Sequence, residues 1–121
     1  MLALWVFIGG GLGSLARYGV SLGLENYKPA NFPVATLVAN ILSCIVIGLV
    51  AYIFSDKIQS DEMKALILIG FCGGFSTFST FSNETFQLLR DGHAVIAIGN
   101  ILISVALCLA IIYSMSLFAQ R

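Results

Sequence analysis

The sequence predicts an all-α membrane protein with four transmembrane helices. The third helix is expected to break near the bilayer midplane, and the chain is expected to pair with an inverted copy of itself as a dual-topology dimer. Of its 121 residues, 59% are hydrophobic and only 10% are charged, which is more apolar surface than a soluble domain of this size can bury. Four apolar stretches each approach or exceed the roughly 20 residues that cross a bilayer. We therefore expect one transmembrane domain over residues 1–121, with helices at about 2–24, 32–54, 65–89 and 94–118.

The first stretch is expected to be a retained helix and not a cleaved signal peptide. It has no basic segment at its start and no small-residue cleavage site, and its one cation, Arg17, comes late. Two pairs of glycines spaced four residues apart let backbones approach closely in lipid, so this helix should form a tight packing seam. The pairs are Gly9 with Gly13 and Gly19 with Gly23.

Capping signals mark the ends of the following helices. Pro33 stands near the start of the second helix, where a missing amide is harmless. Ser60 and the two acidic residues after it should cap the third helix and complement its positive end. A tight turn at Asp91 and Gly92 leads into the fourth helix. Because the connections are short, consecutive helices should be antiparallel neighbours, with both termini on one side of the membrane.

The segment GFCGGFSTFSTFSNE, from Gly70 to Glu84, interrupts the apolar character of the third stretch. Glycine frees the backbone, and Ser and Thr compete locally for its hydrogen bonds. We therefore predict a break in the third helix around Gly73 and Gly74. Carbonyls freed in hydrocarbon must be satisfied by protein, water or an ion, and broken helices at this depth commonly bind ions.

After the break, phenylalanines and serines each recur at every third position, which places a phenyl face beside a hydroxyl face. A phenyl ring is positive at its edge, and hydroxyl groups donate hydrogen bonds, so such a wall suits an anion better than a cation. The pattern is equally consistent with phenyl rings that pack against lipid or other helices while the hydroxyls satisfy freed backbone. The phenylalanines are Phe75, Phe78 and Phe81, and the serines are Ser76, Ser79 and Ser82.

Polar residues elsewhere in the spans are functional candidates by default. Asn40 in the second stretch offers two donors to an anion, although bonding between helices is the commoner use of such an amide. Asn100 and Ser104 share one face of the fourth stretch. Arg17 should line a wet vestibule or extend to the interface, with Glu84 as its counter-charge across a subunit contact.

The cations are balanced between the two sides of this topology. Because an excess of Lys and Arg sets orientation, a chain without such an excess can insert both ways and pair with an inverted copy. The alternative to dual topology is a weak preference for one orientation that is hidden in the order of folding. The net charge is zero, which gives no reason to expect a nucleic-acid partner. The cations on the side of the termini are Lys57, Lys64 and Arg121, and those on the other side are Arg17, Lys28 and Arg90.

Other classes of protein fit this sequence less well. It offers no nucleophile–base pair or metal cluster for an enzyme, and its three cysteines lie in different apolar segments, as packing residues do. A four-helix, proton-coupled drug exporter needs a carboxylate within its first helix, whereas the intramembrane charge here is Arg17. A structural subunit would explain the small residues but would leave the break and the donor-rich phenyl face without a purpose.

Three parts of the sequence closely resemble the Fluc (CrcB) family of fluoride channels in order and spacing. They are the segment from Gly70 to Glu84, the run GGGLGSLARY from Gly9 to Tyr18, and Asn40. The resemblance covers essentially the whole chain. It implies a passive, fluoride-selective channel in the plasma membrane, the inner membrane of a bacterium, that lowers cytoplasmic fluoride. It also implies an antiparallel homodimer with two fluoride pathways and a central structural sodium ion.

The resemblance also assigns roles to the matching residues. Phe78 and Phe81 would be the pore phenylalanines, and Asn40 the amide from the second helix that coordinates fluoride. Gly73 and Ser76 would supply backbone carbonyls to the sodium ion. The resemblance places Ser104 and Asn100 on the polar track of the fourth helix, along the fluoride pore, and Arg17 and Glu84 near the vestibules. We further predict that Ser79 and Thr80 donate hydrogen bonds in the pore near the phenylalanines.

Overall fold

The computed structural model describes residues 1–76 and 78–120. Thr77, in the predicted break, and Arg121, among the flanking cations, lie outside the described residues. Within the described part of the chain every regular element is helical. Helix α3 is a continuous run made of Asp61–Lys64, a π-helical segment Ala65–Phe71 and a last turn Cys72–Phe75. The other helices are α1 (Leu2–Leu24), α2 (Val34–Gly48, continued by a π-helical segment Leu49–Ile53), α4 (Phe78–Arg90) and α5 (Ala94–Ala119), and a 3₁₀ turn, Pro29–Asn31, joins α1 to α2.

Three segments of the described chain are long and apolar enough to cross a membrane. They are Val34–Ile53, Asp61–Arg90, which contains α3 and α4, and Ala94–Ala119. These segments support the second, third and fourth predicted spans. Helix α1 has 23 residues, which is about 34 Å at 1.5 Å per residue, but Arg17 and its glycines lower its hydropathy. The crossing of the bilayer by α1 therefore stays a prediction.

The structure confirms two of the predicted helix ends. The Ser60 hydroxyl accepts a hydrogen bond from the Met63 amide at 3.2 Å and so caps the start of α3. Gly92 ends α4 with a φ of 85°, a left-handed conformation that glycine adopts without steric cost. There the Gly92 amide bonds to the Leu89 carbonyl and the His93 amide to the Leu88 carbonyl, the pattern of a Schellman motif.

The helix breaks at Ser76, and not at the two glycines where the sequence placed the break. Gly73 and Gly74 are still helical within Cys72–Phe75, whereas Ser76 is extended, with φ −101° and ψ 147°. The Ser76 amide and hydroxyl both bond to the Cys72 carbonyl, at 3.0 and 2.9 Å. The amide thus makes the last i→i−4 bond of the helix, the hydroxyl shares its acceptor, and the chain leaves the helix at Ser76. Gly74 is required instead for close packing against Gly10 of α1.

Helix α1 packs along α3, whereas α5 packs against α2 and α4. Glycines from both helices let the backbones of α1 and α3 touch: a Cβ added to Gly70 would lie 2.8 Å from the Val6 carbonyl, and one added to Gly13 would clash with the Phe71 carbonyl. The predicted seam at Gly9 and Gly13 is therefore present. The second predicted pair differs, because a Cβ on Gly19 or Gly23 would meet no described atom of this chain within 4 Å.

The α1–α3 seam predicts a position-specific effect of adding one methyl group. Gly13→Ala should lower the free energy of unfolding by about 1–3 kcal/mol, because backbone atoms of α3 occupy the space of the new Cβ. Gly11→Ala is the matched control on the same helix, where a Cβ meets nothing within 4 Å, and it should raise stability by about 0.5–1 kcal/mol because alanine favours the helix more than glycine does. Denaturant titration of the purified protein in detergent measures both; equal effects would show that the seam is absent.

Candidate functional site

A cavity of about 260 Å³ lies where α2, α4, α5 and the break in the third span meet. Its lining combines hydroxyl and amide donors with two phenyl rings, two thiols and aliphatic side chains, and it contains no acidic or basic residue among those described. The lining residues are Asn40, Ser43, Cys44, Ile47, Ser76, Phe78, Phe81, Ser104, Val105 and Cys108.

The cavity brings together the two phenylalanines and two of the polar residues that the sequence singled out. Phe78 and Phe81 have ring centroids 5.9 Å apart and ring planes inclined by 37°, so the rings are tilted and not stacked. Asn40 reaches the same cavity from α2 and Ser104 from α5. Phe78 is 80% exposed, so the single chain leaves one wall of the cavity open.

Ser79 and Thr80 do not line this cavity. Thr80 faces α1, where its hydroxyl accepts a hydrogen bond from Arg17 Nη1 at 3.4 Å. It lines a second cavity, of about 310 Å³, together with Glu84, Lys28 and other residues from the ends of α1 and α2. Ser79 is exposed. The two residues therefore lie apart from the phenylalanine cavity, and their roles in a pore stay predictions.

Asn100 is only 1% exposed and ties α5 to α4 without lining the cavity. The Ser104 hydroxyl donates to Asn100 Oδ1 at 3.2 Å, and Asn100 Nδ2 donates to the Thr85 hydroxyl at 3.0 Å. The Thr85 hydroxyl in turn donates to the Phe81 carbonyl at 2.8 Å. This chain of hydrogen bonds links the backbone of Phe81, a cavity phenylalanine on α4, to Ser104, which lines the cavity from α5.

Ser43 and Thr85 belong to the site but were missed from the sequence. Ser43 is 1% exposed, lines the cavity, and has a hydroxyl without a hydrogen-bond partner among the described residues. It lies three residues after Asn40 and so on the same face of α2. Thr85 lies four residues after Phe81 on α4. The sequence signal that could have found both residues is their helical spacing, three residues from Asn40 for Ser43 and four from Phe81 for Thr85.

The vestibule candidates lie outside the phenylalanine cavity. The Glu84 carboxylate accepts a hydrogen bond from the Thr36 hydroxyl and lines the second cavity together with Lys28. Arg17 is partly buried, and its Nε has no partner among the described residues. In the described chain the one ion pair joins exposed Arg90 and Asp91. Pairing of Arg17 with Glu84 across a subunit contact stays a prediction.

The proposed sodium ligands are backbone atoms at the break. Among the described residues no group of three or more His, Cys, Asp or Glu side chains is placed to hold a metal ion. Gly73 is exposed, and a Cβ there would meet nothing within 4 Å. Since Ser76 is extended, the regular carbonyl ladder of the helix stops there. Exposed backbone at an interrupted ladder fits a hard cation that takes oxygen ligands.

Comparison with known proteins gives a consistent set of relatives. Residues 4–115 match the family described as CrcB-like protein, Camphor Resistance (CrcB). A protein of Yersinia pseudotuberculosis serotype I named fluoride-specific ion channel FluC 1 is 49% identical over 106 residues, which cover 87% of this chain and 83% of the relative. A fluoride-specific ion channel FluC of Coxiella burnetii (strain CbuK_Q154) is 41% identical over 112 residues, 91% and 90% of the two chains. One of Pyrococcus abyssi is 41% identical over 119 residues, 98% and 95%.

The hydrogen-bond chain through Asn100 predicts a measurable loss of stability. Asn100→Ala leaves the buried Ser104 and Thr85 hydroxyls short of a partner, which should lower the free energy of unfolding by about 1–3 kcal/mol. Gln87→Ala removes an exposed amide from α4 and should change it by less than about 0.5 kcal/mol. Denaturant titration in detergent compares the two. A loss for Asn100→Ala no larger than that for Gln87→Ala would contradict the assignment.

Proposed function

The chain belongs to the family of CrcB-like proteins, and from this membership together with the cavity we propose that it is a fluoride-selective channel that exports fluoride passively across the plasma membrane. The family is one of ion channels, so the chain is a transporter and not an enzyme. Its helices make it a multi-pass membrane protein. Passive export lowers cytoplasmic fluoride whenever its electrochemical gradient points outward.

The observation that carries the proposal is the set of side chains around the cavity. Ser43 supplies a buried hydroxyl without a described partner, and Asn40 and Ser104 add an amide and a second hydroxyl. Such donors can replace the water that a small anion loses on entry. Phe78 and Phe81 can offer positive ring edges to the same anion. The same hydroxyls and amide also carry acceptor oxygens, so the preference for an anion rests on the ring edges and on the lack of any carboxylate in the described lining.

Arg17 and Lys28 are proposed to raise the local concentration of anions at the vestibule. Lys28 lines the second cavity together with two carboxylates, Glu25 and Glu84, and Arg17, which holds Thr80 of the same cavity wall, adds a second positive charge. A positive charge within a low-dielectric recess attracts anions more strongly than the same charge in bulk water. Neither residue lines the phenylalanine cavity, and neither is proposed as a fluoride ligand there.

The cavity assignment predicts that transport falls steeply when the ring edges or the neutral amide are removed. Phe78→Ile and Phe81→Ile keep much of the apolar volume but lose the positive edge, whereas the adaptable, polarisable side chain of Met should be milder. Asn40→Asp sets a negative charge beside an anion path and should abolish transport. Fluoride efflux from liposomes, followed with an electrode, measures each variant.

Phe86→Ile is the matched control, because Phe86 is an exposed ring on the same helix outside the cavity; its transport should be close to that of the unmodified protein. If Phe78→Ile, Phe81→Ile and Asn40→Asp all assembled and transported at the unmodified rate, the phenylalanines would be packing residues and the pathway would lie elsewhere.

A second, inverted copy of the chain is proposed to complete the cavity, giving two fluoride pathways per homodimer. Helix α4 exposes Ser82 and Asn83 within a candidate span, and polar groups at that depth require protein or water around them. The exposed Phe78 ring leaves the same side open. An inverted partner is favoured because the flanking cations are balanced, three against three.

Dual topology predicts that added charge reduces activity. Two lysines inserted into the 55–64 connection should bias insertion towards one orientation and so deplete active dimers. Coexpression with a copy biased in the opposite direction should restore fluoride efflux. Accessibility of terminal tags reports orientation. Unchanged efflux from a population shown to have a single orientation would exclude the inverted dimer.

A sodium ion is proposed at the centre of this dimer, bound by the Gly73 and Ser76 carbonyls of both copies. Two carbonyls from each chain would supply four oxygen ligands, a donor type that suits a hard cation. A positive ion at the midplane would also favour a nearby anion.

The sodium proposal predicts opposite outcomes for its two ligand positions. Ser76→Ala should be mild because the ligand is a carbonyl, whereas Gly73→Val adds bulk at the point where two chains would meet and should weaken assembly and efflux. Size-exclusion chromatography and efflux assays compare them. A high-resolution map of the dimer with an unbroken helix through Ser76 and no central density would refute the site.

A further inference from the structure

The cavity contains two free thiols that the proposed fluoride pathway does not use. Cys44 of α2 and Cys108 of α5 both line it and are both partly exposed. Helices α2 and α5 pack against each other. The third cysteine, Cys72, is buried outside the cavity lining, and its Sγ lies 3.9 Å from the Ser43 carbonyl. The two helices therefore place two soft ligands in the wall of one accessible cavity.

We propose that Cys44 and Cys108 form a binding site for a soft divalent metal ion that takes two ligands in line, with mercury(II) as the representative, and that its occupancy blocks the cavity. Binding itself depends only on the two thiols. The blocking effect rests on the proposed function, since it requires fluoride to pass through this cavity.

The chemistry of the pair favours this class of ion. Thiolates prefer soft metals, and each thiol releases its proton as its sulfur–metal bond forms. Two thiols and one mercury(II) thus yield a neutral S–Hg–S complex and two protons. A neutral complex avoids the large penalty for burying net charge in an apolar surrounding. Two thiols are too few for the four-coordinate geometry of a structural zinc site.

The position of the pair explains why a bound ion would block transport. Cys44 follows Asn40 by four residues on α2, and Cys108 follows Ser104 by four residues on α5. Each thiol therefore lies one helical turn, about 5.4 Å, from a proposed fluoride donor on the same helix face. Phe78 and Phe81 line the same space of about 260 Å³. An ion held between the thiols would occupy the space that fluoride is proposed to cross.

The test treats the purified, reconstituted protein with mercury(II) chloride, removes loosely held metal with a monothiol, and measures the bound mercury by mass spectrometry and the mercury–thiolate absorbance. Fluoride efflux is recorded in parallel, relative to the basal efflux of each variant. The unmodified chain should retain one mercury and lose its efflux. Removing the mercury from the unmodified chain should need a monothiol concentration about tenfold or more above that needed for the Cys44→Ser or Cys108→Ser variant. The reason is that two bonds to one ion must open together. Cys72→Ser is the matched control and should behave as the unmodified chain does.

Each outcome decides one of the two claims. Equal retention of mercury by the Cys44→Ser, Cys108→Ser double variant and the unmodified chain overturns the site, as does loss of retention in Cys72→Ser alone. Retention that depends on the pair, with fluoride efflux unchanged, supports the metal site and overturns the blocking claim and the placement of the pathway. If the unmodified chain shows no fluoride efflux, the proposed function fails, while bound mercury and its absorbance still decide the site.

Discussion

Polar groups inside a bilayer must find partners within the protein, in trapped water or in an ion, and this constraint organises the whole molecule. In α4 and α5 the constraint is met by a continuous chain of hydrogen bonds from Ser104 through Asn100 and Thr85 to the Phe81 carbonyl. The Ser43 hydroxyl, buried on the cavity wall, has no such partner among the described residues. Asn100 and Thr85 thus hold helices together, Ser43 faces the cavity, and Ser104 does both.

The close contact of α1 with α3 has a different physical origin. Lipid tails give helices little hydrophobic reason to associate, so the helices depend on backbone proximity, which Gly9, Gly13 and Gly70 permit. This pairing leaves α4 to pack against α5 and to expose polar side chains and the Phe78 ring on its outer side. The proposed inverted partner would complete the cavity on this exposed side.

The sequence predicted those features that depend on local chemistry. The bounds of α1, the Ser60 cap, the Gly92 turn, and the joint position of Asn40, Phe78, Phe81 and Ser104 around one cavity all follow from composition, spacing and turn residues, or from the resemblance that these carried. It did not predict Ser43 or the position of Thr80, because the rotation of each helix about its axis is fixed by packing. The break falls after the glycines: Gly74 belongs to the close contact with α1, and Ser76 is the first residue with an extended backbone.

The neutral cavity of donors and phenyl edges is proposed to conduct fluoride selectively. The most direct measurement is efflux from liposomes that contain the unmodified, assembled protein and are loaded with equal concentrations of fluoride and chloride, each followed with its own electrode. Fluoride should be lost rapidly while chloride is retained, because chloride is larger and the cavity offers no fixed positive charge among its described residues to compensate a poorer fit. Equal efflux of both anions, or no fluoride efflux from vesicles shown to contain folded dimers, would contradict this proposal.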